Sequence, residues 1–518
     1  MNSRNYGAFL ITAIISMIII FFNLDGIPLL DPDEPVYAET PKEMFLYNDF
    51  ISPRIFGEYW YDKPPMYYWL VALSYKIFGI NDFAARFPSA SLAVICIFAM
   101  WYFGNKIFNQ RTGMASALIL LTSIEYFYLG KAAVTDITLN LFLTCSLFSF
   151  ITKKYYLFYF FAGLAVLTKG PIGLFFPSII VIIYLVVTNN LKELTRIKLP
   201  LGIVIFSITA LPWYIIMYHL HGSIFIDTFL GFHNLTRFTT PEHPSGVVWY
   251  YYIPVLLIGF FPWNALLIQS IYHSFIHYRD KFSELIFLNI WFIVVFLFFS
   301  ISQTKLVSYI LPMYPPMAML VGWYIDKLSN NYYNAKRQYS WSILSCILII
   351  GFVIGALLNI NQIPNYNQSV VFLVATLISM FVCIIFFTWK NQIEKLFWTN
   401  VLGMAIFSIV LVGMLFPAIA PQFSTFNTVR QFEECYDNNS PIFISKFLHP
   451  GFSFYSNKYG SELIFSDDSI PDMKIILEEN AQAYFILRDI DYMRIPEDTQ
   501  NKLSTIKKFD NKLILIKK

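Results

Sequence analysis

"GAFLITAIISMIIIFF", residues 7–22, carries no charged side chain. At about 1.5 Å of rise per residue, such a run with its neighbours approaches the ~30 Å hydrocarbon thickness of a bilayer, so it reads as a membrane helix. A basic Asn-Ser-Arg-Asn start precedes it, as in a secretory signal, but no small-residue cleavage site follows. It is therefore expected to remain as the first helix of a series. Comparable runs recur near 84–104, 112–129, 133–151, 155–168, 171–188, 199–218, 248–272, 284–301, 305–325, 341–359, 368–389 and 397–417, thirteen in all. The stretch 66–79, "MYYWLVALSYKIFG", is too short and interrupted to span and reads as an amphipathic interfacial helix.

Composition agrees. Of the 518 residues 57% are hydrophobic and only 13% charged, about half the charged share of an ordinary soluble domain. The mean hydropathy is +0.56. The expected class is a polytopic α-helical membrane protein. A net charge of +3 argues against a nucleic-acid partner. Of the five cysteines, Cys96, Cys145, Cys346 and Cys383 lie in apolar runs and Cys435 in a polar region, which excludes a disulfide framework; none has zinc-knuckle spacing.

Placing Arg4 on the cytoplasmic side makes every inside loop basic, through Lys106 and Arg111, Lys153 and Lys154, Lys192 and Lys198, Arg279 and Lys281, Lys327 and Arg337, and Lys390 and Lys395. The outside loop 360–367, "NQIPNYNQ", carries no charge. Thirteen crossings then put the C-terminal region outside. The chain divides into a transmembrane part, 1–423, and a small α/β domain, 424–518. In the latter, "PIFIS", "ELIFS", "AYFIL" and "KLILI" alternate with a helical-looking "PDMKIILEENAQ".

The chemistry collects on the outside face. The first outside loop, 24–66, opens with "DPDEPVYAETPKE", residues 31–43, which gathers Asp31, Asp33, Glu34, Glu39 and Glu43, and later holds Asp62 and Lys63 before Pro64 and Pro65. Asp136, Lys169, His233, Arg237, Lys305 and Tyr309 fall at membrane edges on the same side. Ionisable groups at such depths are costly, and several converging on one face point to a site. Lys63, Lys169, Arg237 and Lys305 are cations that could clamp a phosphate. Asp33 and Asp136 are carboxylates from separate segments that could face a reacting centre. Asp62 and His233 are plausible ligands for one divalent ion, zinc or similar. The set suits a lipid phosphate whose tail lies in the bilayer. No Gly-rich phosphate loop precedes a helix, which disfavours a nucleotide donor or cofactor.

Plainer readings stand beside these. Lys76, Arg86 and Lys131 can be helix-end cations that snorkel to headgroups. Glu39 and Glu43 can form a solvated face or pair with Lys42. Asp31 can cap a helix starting near Pro32. His219, His221 and His243 can be solvated loop histidines.

The motifs "DPDEPVYAETPKEM", "YDKPPMYYWL", "FGINDFAARFPSA", "AVTDITLNLF", "LTKGPIGL", "LPWY", "FHNLTRF" and "KLVSYILPMYPPMAML", in this order, closely resemble the aminoarabinose lipid A transferases, the ArnT family. That family lies within the wider GT-C group that includes the protein O-mannosyltransferases. The resemblance covers roughly residues 28–320 and the general plan of thirteen spans followed by a periplasmic domain. It implies a glycosyltransferase of the bacterial inner membrane, with its active site periplasmic. It further implies an undecaprenyl-phosphate sugar donor and lipid A as acceptor. It implies Asp33 and Asp136 as the catalytic carboxylates. Lys63, Lys169, Arg237 and Tyr309 are the implied partners of the donor phosphate, and Asp62 and His233 the implied metal ligands. Asp62 stands where the family usually has Glu, one methylene longer, and Val36 where it usually has Arg. Two rival readings remain: a polyprenyl-phosphate-sugar transferase acting on protein or glycan hydroxyls, and a lipid flippase or transporter. Transporters often show inverted repeats and broken midplane helices, and neither is evident in this sequence.

Overall fold

The computed structural model describes residues 3–240, 248–277, 283–330, 338–359, 366–465 and 471–517. The chain forms two compact units. One draws on the N-terminal helix, Tyr61–Tyr67 and Pro88–Val412, and the other on Asp25–Trp60, Tyr68–Phe87 and the chain from Gly413 onward.

The first unit is helical. Among the described residues, six helices are long and apolar enough to cross a membrane, or up to eight if two bent pairs each count as one span. That is fewer than the thirteen runs read from the sequence. Part of the difference lies in four shorter apolar helices, Gly7–Phe21, Asp136–Ile151, Tyr155–Lys169 and Ile172–Val187. Helix Asp136–Ile151 shows why a run can be apolar and yet short. It is buried on all faces along Asp136–Phe150, so its length is set by protein neighbours rather than by lipid. It packs against Tyr155–Lys169 and Ile172–Val187. Its buried Thr138, Asn140, Thr144, Ser146 and Ser149 lie among these neighbours, and Ser146 donates to the Phe158 carbonyl across the interface at 2.9 Å.

One bent pair breaks at Thr122 and Ser123, the other at the aromatic-proline stretch 260–263. Gln110–Leu121 and Ile124–Lys131 meet at 66°, and Tyr252–Gly259 and Asn264–Phe275 at 106°. At the first break Thr122 bonds back to the Leu118 carbonyl at 2.6 Å and accepts from the Trp263 indole at 3.2 Å, which ties one bent pair to the other. Glu125, just past the break, accepts from the Tyr314 hydroxyl at 2.5 Å in a buried site. Lys131, at the end of that helix, does not snorkel: it is buried and donates to the carbonyls of Ile20 and Phe22 at 2.9 and 2.6 Å, satisfying the C-terminal turn of the first helix. Close helix contact elsewhere depends on glycine. A Cβ on Gly113 would stand 2.6 Å from the Trp101 carbonyl and 2.7 Å from the Asn105 amide, both backbone atoms.

The second unit contains two sheets. Strands β1 (Arg54–Ile55) and β2 (Glu58–Tyr59) form a short antiparallel hairpin. Five more strands, β3 (Ile442–Ser445), β4 (Ser461–Leu463), β5 (Tyr484–Arg488), β6 (Leu503–Phe509) and β7 (Lys512–Lys517), make a mixed sheet in the order β4-β3-β5-β7-β6. The three strands β4, β3 and β5 run parallel, and β7 alone runs against them, pairing antiparallel with β5 on one side and β6 on the other. The central strand β5 is buried on both faces, which its near-continuous apolar sequence anticipates. One face packs on Met473, Leu477 and Ile495, the other on Val429, Phe432, Leu448 and Phe452. All five cysteines are free.

Gly113→Val forces a branched side chain into backbone that cannot yield without moving a helix. The expected loss is about 1–3 kcal/mol or more, read as a lowered melting temperature of the detergent-solubilised protein.

Candidate active site

Each unit carries part of the residue set. In the helical unit, Asp62 lies between two partners. Its Oδ2 accepts from Lys63 Nζ at 2.8 Å, and its Oδ1 lies 2.7 Å from His233 Nδ1. All three side chains are at most 13% exposed, so the interaction is largely withdrawn from solvent screening. The preceding Tyr61 anchors the segment, with its ring 5.3 Å from His221 and 5.7 Å from Phe225. His221 thus has an aromatic partner and is not a solvated loop histidine. His219 is exposed, and His243 lies outside the described residues. His233 belongs to a π-helical stretch, Asp227–Thr236, the kind of widened turn found often at functional sites.

Lys169 and Asp136 form a second pair at 2.8 Å. Asp136 opens helix Asp136–Ile151 and Lys169 closes helix Tyr155–Lys169, so each charge also complements its helix dipole. The Lys169 ammonium lies 5.0 Å from the centroid of the Tyr309 ring. Gly170 ends the helix at φ +75, and its bare Cα admits the Phe229 ring, which a Cβ would meet at 2.7 Å. The stretch holding Phe229 and His233 therefore adjoins both pairs. Lys305, buried, donates instead to the Ser302 carbonyl. The backbone of Arg237 opens the short helix Arg237–Thr239, and its side chain lies outside the described residues.

Asp33 belongs to the other unit. It is exposed in the first turn of helix Asp33–Leu46. The residues beside it are held by a network the sequence reading missed. Arg86 grips both oxygens of Glu34, through Nε at 2.8 Å and Nη2 at 2.7 Å, and also donates to the carbonyls of Ile27 and Pro28 at 2.7 and 2.9 Å. The signal was available: an arginine inside an apolar run is seldom idle. Asp31 does not cap the helix. The N-cap position is Pro32, without a side-chain cap bond, and the Asp31 carboxylate accepts from Thr425. Glu39 and Glu43 are buried, not a solvated face. Glu39 pairs with Lys42 at 2.9 Å, and Lys42 donates further to the carbonyls of Ser453 and Phe454 at 3.1 and 3.0 Å. Burial, outweighing Lys42, pushes Glu39 up to about 7. Burial raises Glu43 too, against the Gly57 amide, the Tyr459 hydroxyl and the Phe56 amide.

A metal ion has two donors here, Asp62 and His233. Among the described residues no group of three or more His, Cys, Asp or Glu side chains is placed to hold one. Lys63 already supplies a positive charge to the Asp62 carboxylate. With both Asp62 oxygens engaged by Lys63 and His233, the two residues do not by themselves make a metal centre.

Residues 62–216 match the family described as dolichyl-phosphate-mannose-protein mannosyltransferase. The undecaprenyl phosphate-alpha-4-amino-4-deoxy-L-arabinose arabinosyl transferase of Pectobacterium atrosepticum is 31% identical over 412 residues, 76% of this chain and 73% of that one. An uncharacterized protein of Aquifex aeolicus is 31% identical over 345 residues, 65% of this chain and 68% of its own. The crystal structure of ArnT from Cupriavidus metallidurans bound to undecaprenyl phosphate superposes with a TM-score of 0.81 over 98% of both chains at 20% identity, which establishes the shared fold. The protein is a multi-pass membrane glycosyltransferase. Within that class, the chain belongs to the family of undecaprenyl phosphate-aminoarabinose arabinosyl transferases. Membership of an enzyme family leaves the transporter reading without support.

Two outcomes follow from the network around Asp33. Arg86→Met strands the buried Glu34 carboxylate, and a loss of about 3–5 kcal/mol is expected, partly recovered by adding Glu34→Gln; thermal melting of the purified variants checks both. Glu39 also sets a pH dependence. Its folded value near 7 lies above the ordinary carboxyl value of about 4.3, so between these pH values the folded state keeps a proton that the unfolded chain has lost. Stability therefore falls as pH rises through this window and levels off above it. The melting temperature is expected to be higher at pH 5 than at pH 7.5, with a smaller difference in Glu39→Gln.

Proposed function

We propose that this glycosyltransferase moves a sugar from an undecaprenyl-phosphate donor to a phosphate group of lipid A, with inversion, on the periplasmic face of the inner membrane. In this reading the chain crosses thirteen times as an integral transferase domain, 1–423, the shorter buried helices included. Its C-terminal α/β domain, 424–518, is periplasmic. The observation that carries the reading is the pair of lysines, Lys63 and Lys169, each held against a carboxylate in a poorly exposed site. Fixed cations of this kind stabilise the negative charge that grows on a departing lipid phosphate without first having to reorganise. Tyr309 orients Lys169, and Arg237 adds a third cation. Asp136 holds Lys169 in place. Asp62 and His233 would hold a divalent ion together with the donor phosphate, and such an ion would supply further charge neutralisation there.

Asp33 acts on the acceptor side or on the sugar. A phosphate monoester has its second pKa near ~6 and is already largely anionic, so it needs orientation more than deprotonation. The family description matched by residues 62–216 favours a second reading, in which the acceptor is a protein or glycan hydroxyl and Asp33 is the general base.

The test is the lipid A mass profile of cells with the gene, without it, and with Asp33→Asn or Lys63→Ala. A sugar-sized mass absent from the deletion and from both variants is expected. With purified components, Lys63→Ala should lower kcat/KM by about a hundredfold or more. An unchanged profile with the donor lipid present rejects lipid A and directs the search to hydroxyl acceptors.

A further inference from the structure

Asp31, two residues before Asp33, spends its polar groups on the C-terminal part of its own unit. Its amide donates to the Phe423 carbonyl at 2.8 Å, and its Oδ2 accepts from the Thr425 hydroxyl. Its Oδ1 is buried and lies so close to Gly451 that a Cβ there would collide with it. Lys512, whose charge acts on Asp31, donates to the carbonyls of Pro421 and Gln422 at 3.3 and 2.9 Å and so holds the same stretch. The contact recurs along the segment. The Tyr455 hydroxyl accepts from the Leu29 amide at 2.7 Å and donates to Asp82 at 3.0 Å, and Lys42 reaches the carbonyls of Ser453 and Phe454.

We propose that Asp31 is a positioning residue: through Thr425, Phe423 and Gly451 it fixes the start of helix Asp33–Leu46 on the C-terminal segment, and thereby sets where Asp33 stands. The C-terminal region, on this account, is a working part of the transferase and not an appendage. The inference rests on the reading of Asp33 as catalytic. Burial pushes the Asp31 carboxyl up to about 7, with Thr425 and Lys512 pulling it down and Glu34 adding to the rise. The bond from Thr425 is therefore one that a pH profile can follow.

The experiment uses the full chain in detergent, transferring 4-amino-4-deoxy-L-arabinose from its undecaprenyl phosphate to lipid A, beside hydrogen exchange of the amides of Asp31, Asp33, Glu34, Val36 and Tyr37. Thr425→Val removes one hydroxyl at constant shape, and Gly451→Ala wedges a methyl against Oδ1. Each is expected to lower kcat by about ten- to a hundredfold, as small misplacements of catalytic groups do, with the donor KM within about twofold of wild type. Exchange at these amides should rise, and a kcat–pH profile, expected to bend near pH 7 as Asp31 titrates, should bend at higher pH in Thr425→Val. Thr425→Ser should restore all three. Wild-type kcat and exchange in Thr425→Val overturn the proposal, as does a lowered melting temperature with undiminished kcat. If Gly451→Ala does not fold, Thr425→Val decides alone. Full transfer by Asp33→Asn would reject the catalytic reading of Asp33. Exchange then judges the lock: raised exchange in Thr425→Val sustains it and unchanged exchange rejects it.

Discussion

Arg86 is the residue on which the arrangement around Asp33 depends. One guanidinium holds both oxygens of Glu34 and the two carbonyls of Ile27 and Pro28. A charge buried at 3% exposure is tolerable only when every donor direction is answered, and the planar fork of arginine can answer several at once. Lysine at this position could not. The pair fixes the chain that enters helix Asp33–Leu46, and Asp31, Lys42 and the Tyr455 hydroxyl then tie the same segment to residues 421–455. Asp33 stands exposed in a segment whose neighbours Leu29, Asp31, Glu34 and Lys42 are each tied down. An exposed carboxylate on a rigid mount is what a group meant to meet a substrate requires.

The class of fold was legible because the bilayer imposes it: repeated long apolar runs with few charges are what a multi-pass helical membrane protein requires. The count of crossings was less legible. Hydropathy does not separate a helix facing lipid from one buried by protein, and Asp136–Ile151 is buried throughout although its sequence is as greasy as a span. The bends at residues 122–123 and 260–263 likewise leave no trace in an apolar average. In the C-terminal region three of the four apolar runs form strands and "ELIFS" contributes only Glu462 and Leu463 to β4, whereas β6, "LSTIKKF", went unread because its pattern is half polar and interrupted by a register shift at Thr505/Lys507.

The candidate site was legible in part, for a physical reason that divides its residues. Asp62, Lys63, Asp136, Lys169 and His233 are ionisable groups set at the ends of apolar runs, where their cost makes them conspicuous. The structure brings them together as two pairs and a neighbouring imidazole. The supporting residues were misread because their partners lie far off in sequence. Arg86 finds Glu34 across 52 residues, and Asp31 finds Thr425 across 394. No local pattern distinguishes such a residue from a snorkelling cation or a helix cap, since the deciding neighbour is supplied by tertiary folding alone.

The pairing of each lysine with a carboxylate also bears on how such a site could turn over. A naked lysine cluster would bind any phosphate tightly, including the leaving lipid phosphate, and would itself be costly to desolvate beside a membrane. With Asp62 on Lys63 and Asp136 on Lys169, each cation is compensated before substrate arrives and is held in one orientation. A phosphate monoanion then shares the lysines with carboxylates already in place and gains less in the ground state than it would from free ammonium groups. As the glycosidic bond breaks and charge accumulates on the phosphate, the balance shifts toward it by Coulomb attraction in a poorly solvated site. An interaction that strengthens between substrate and transition state raises kcat, whereas one equally strong in both only lowers KM. In the proposed reading, then, the carboxylates beside the lysines do more than hold them still. They keep phosphate binding weak at rest and allow the spent carrier to leave.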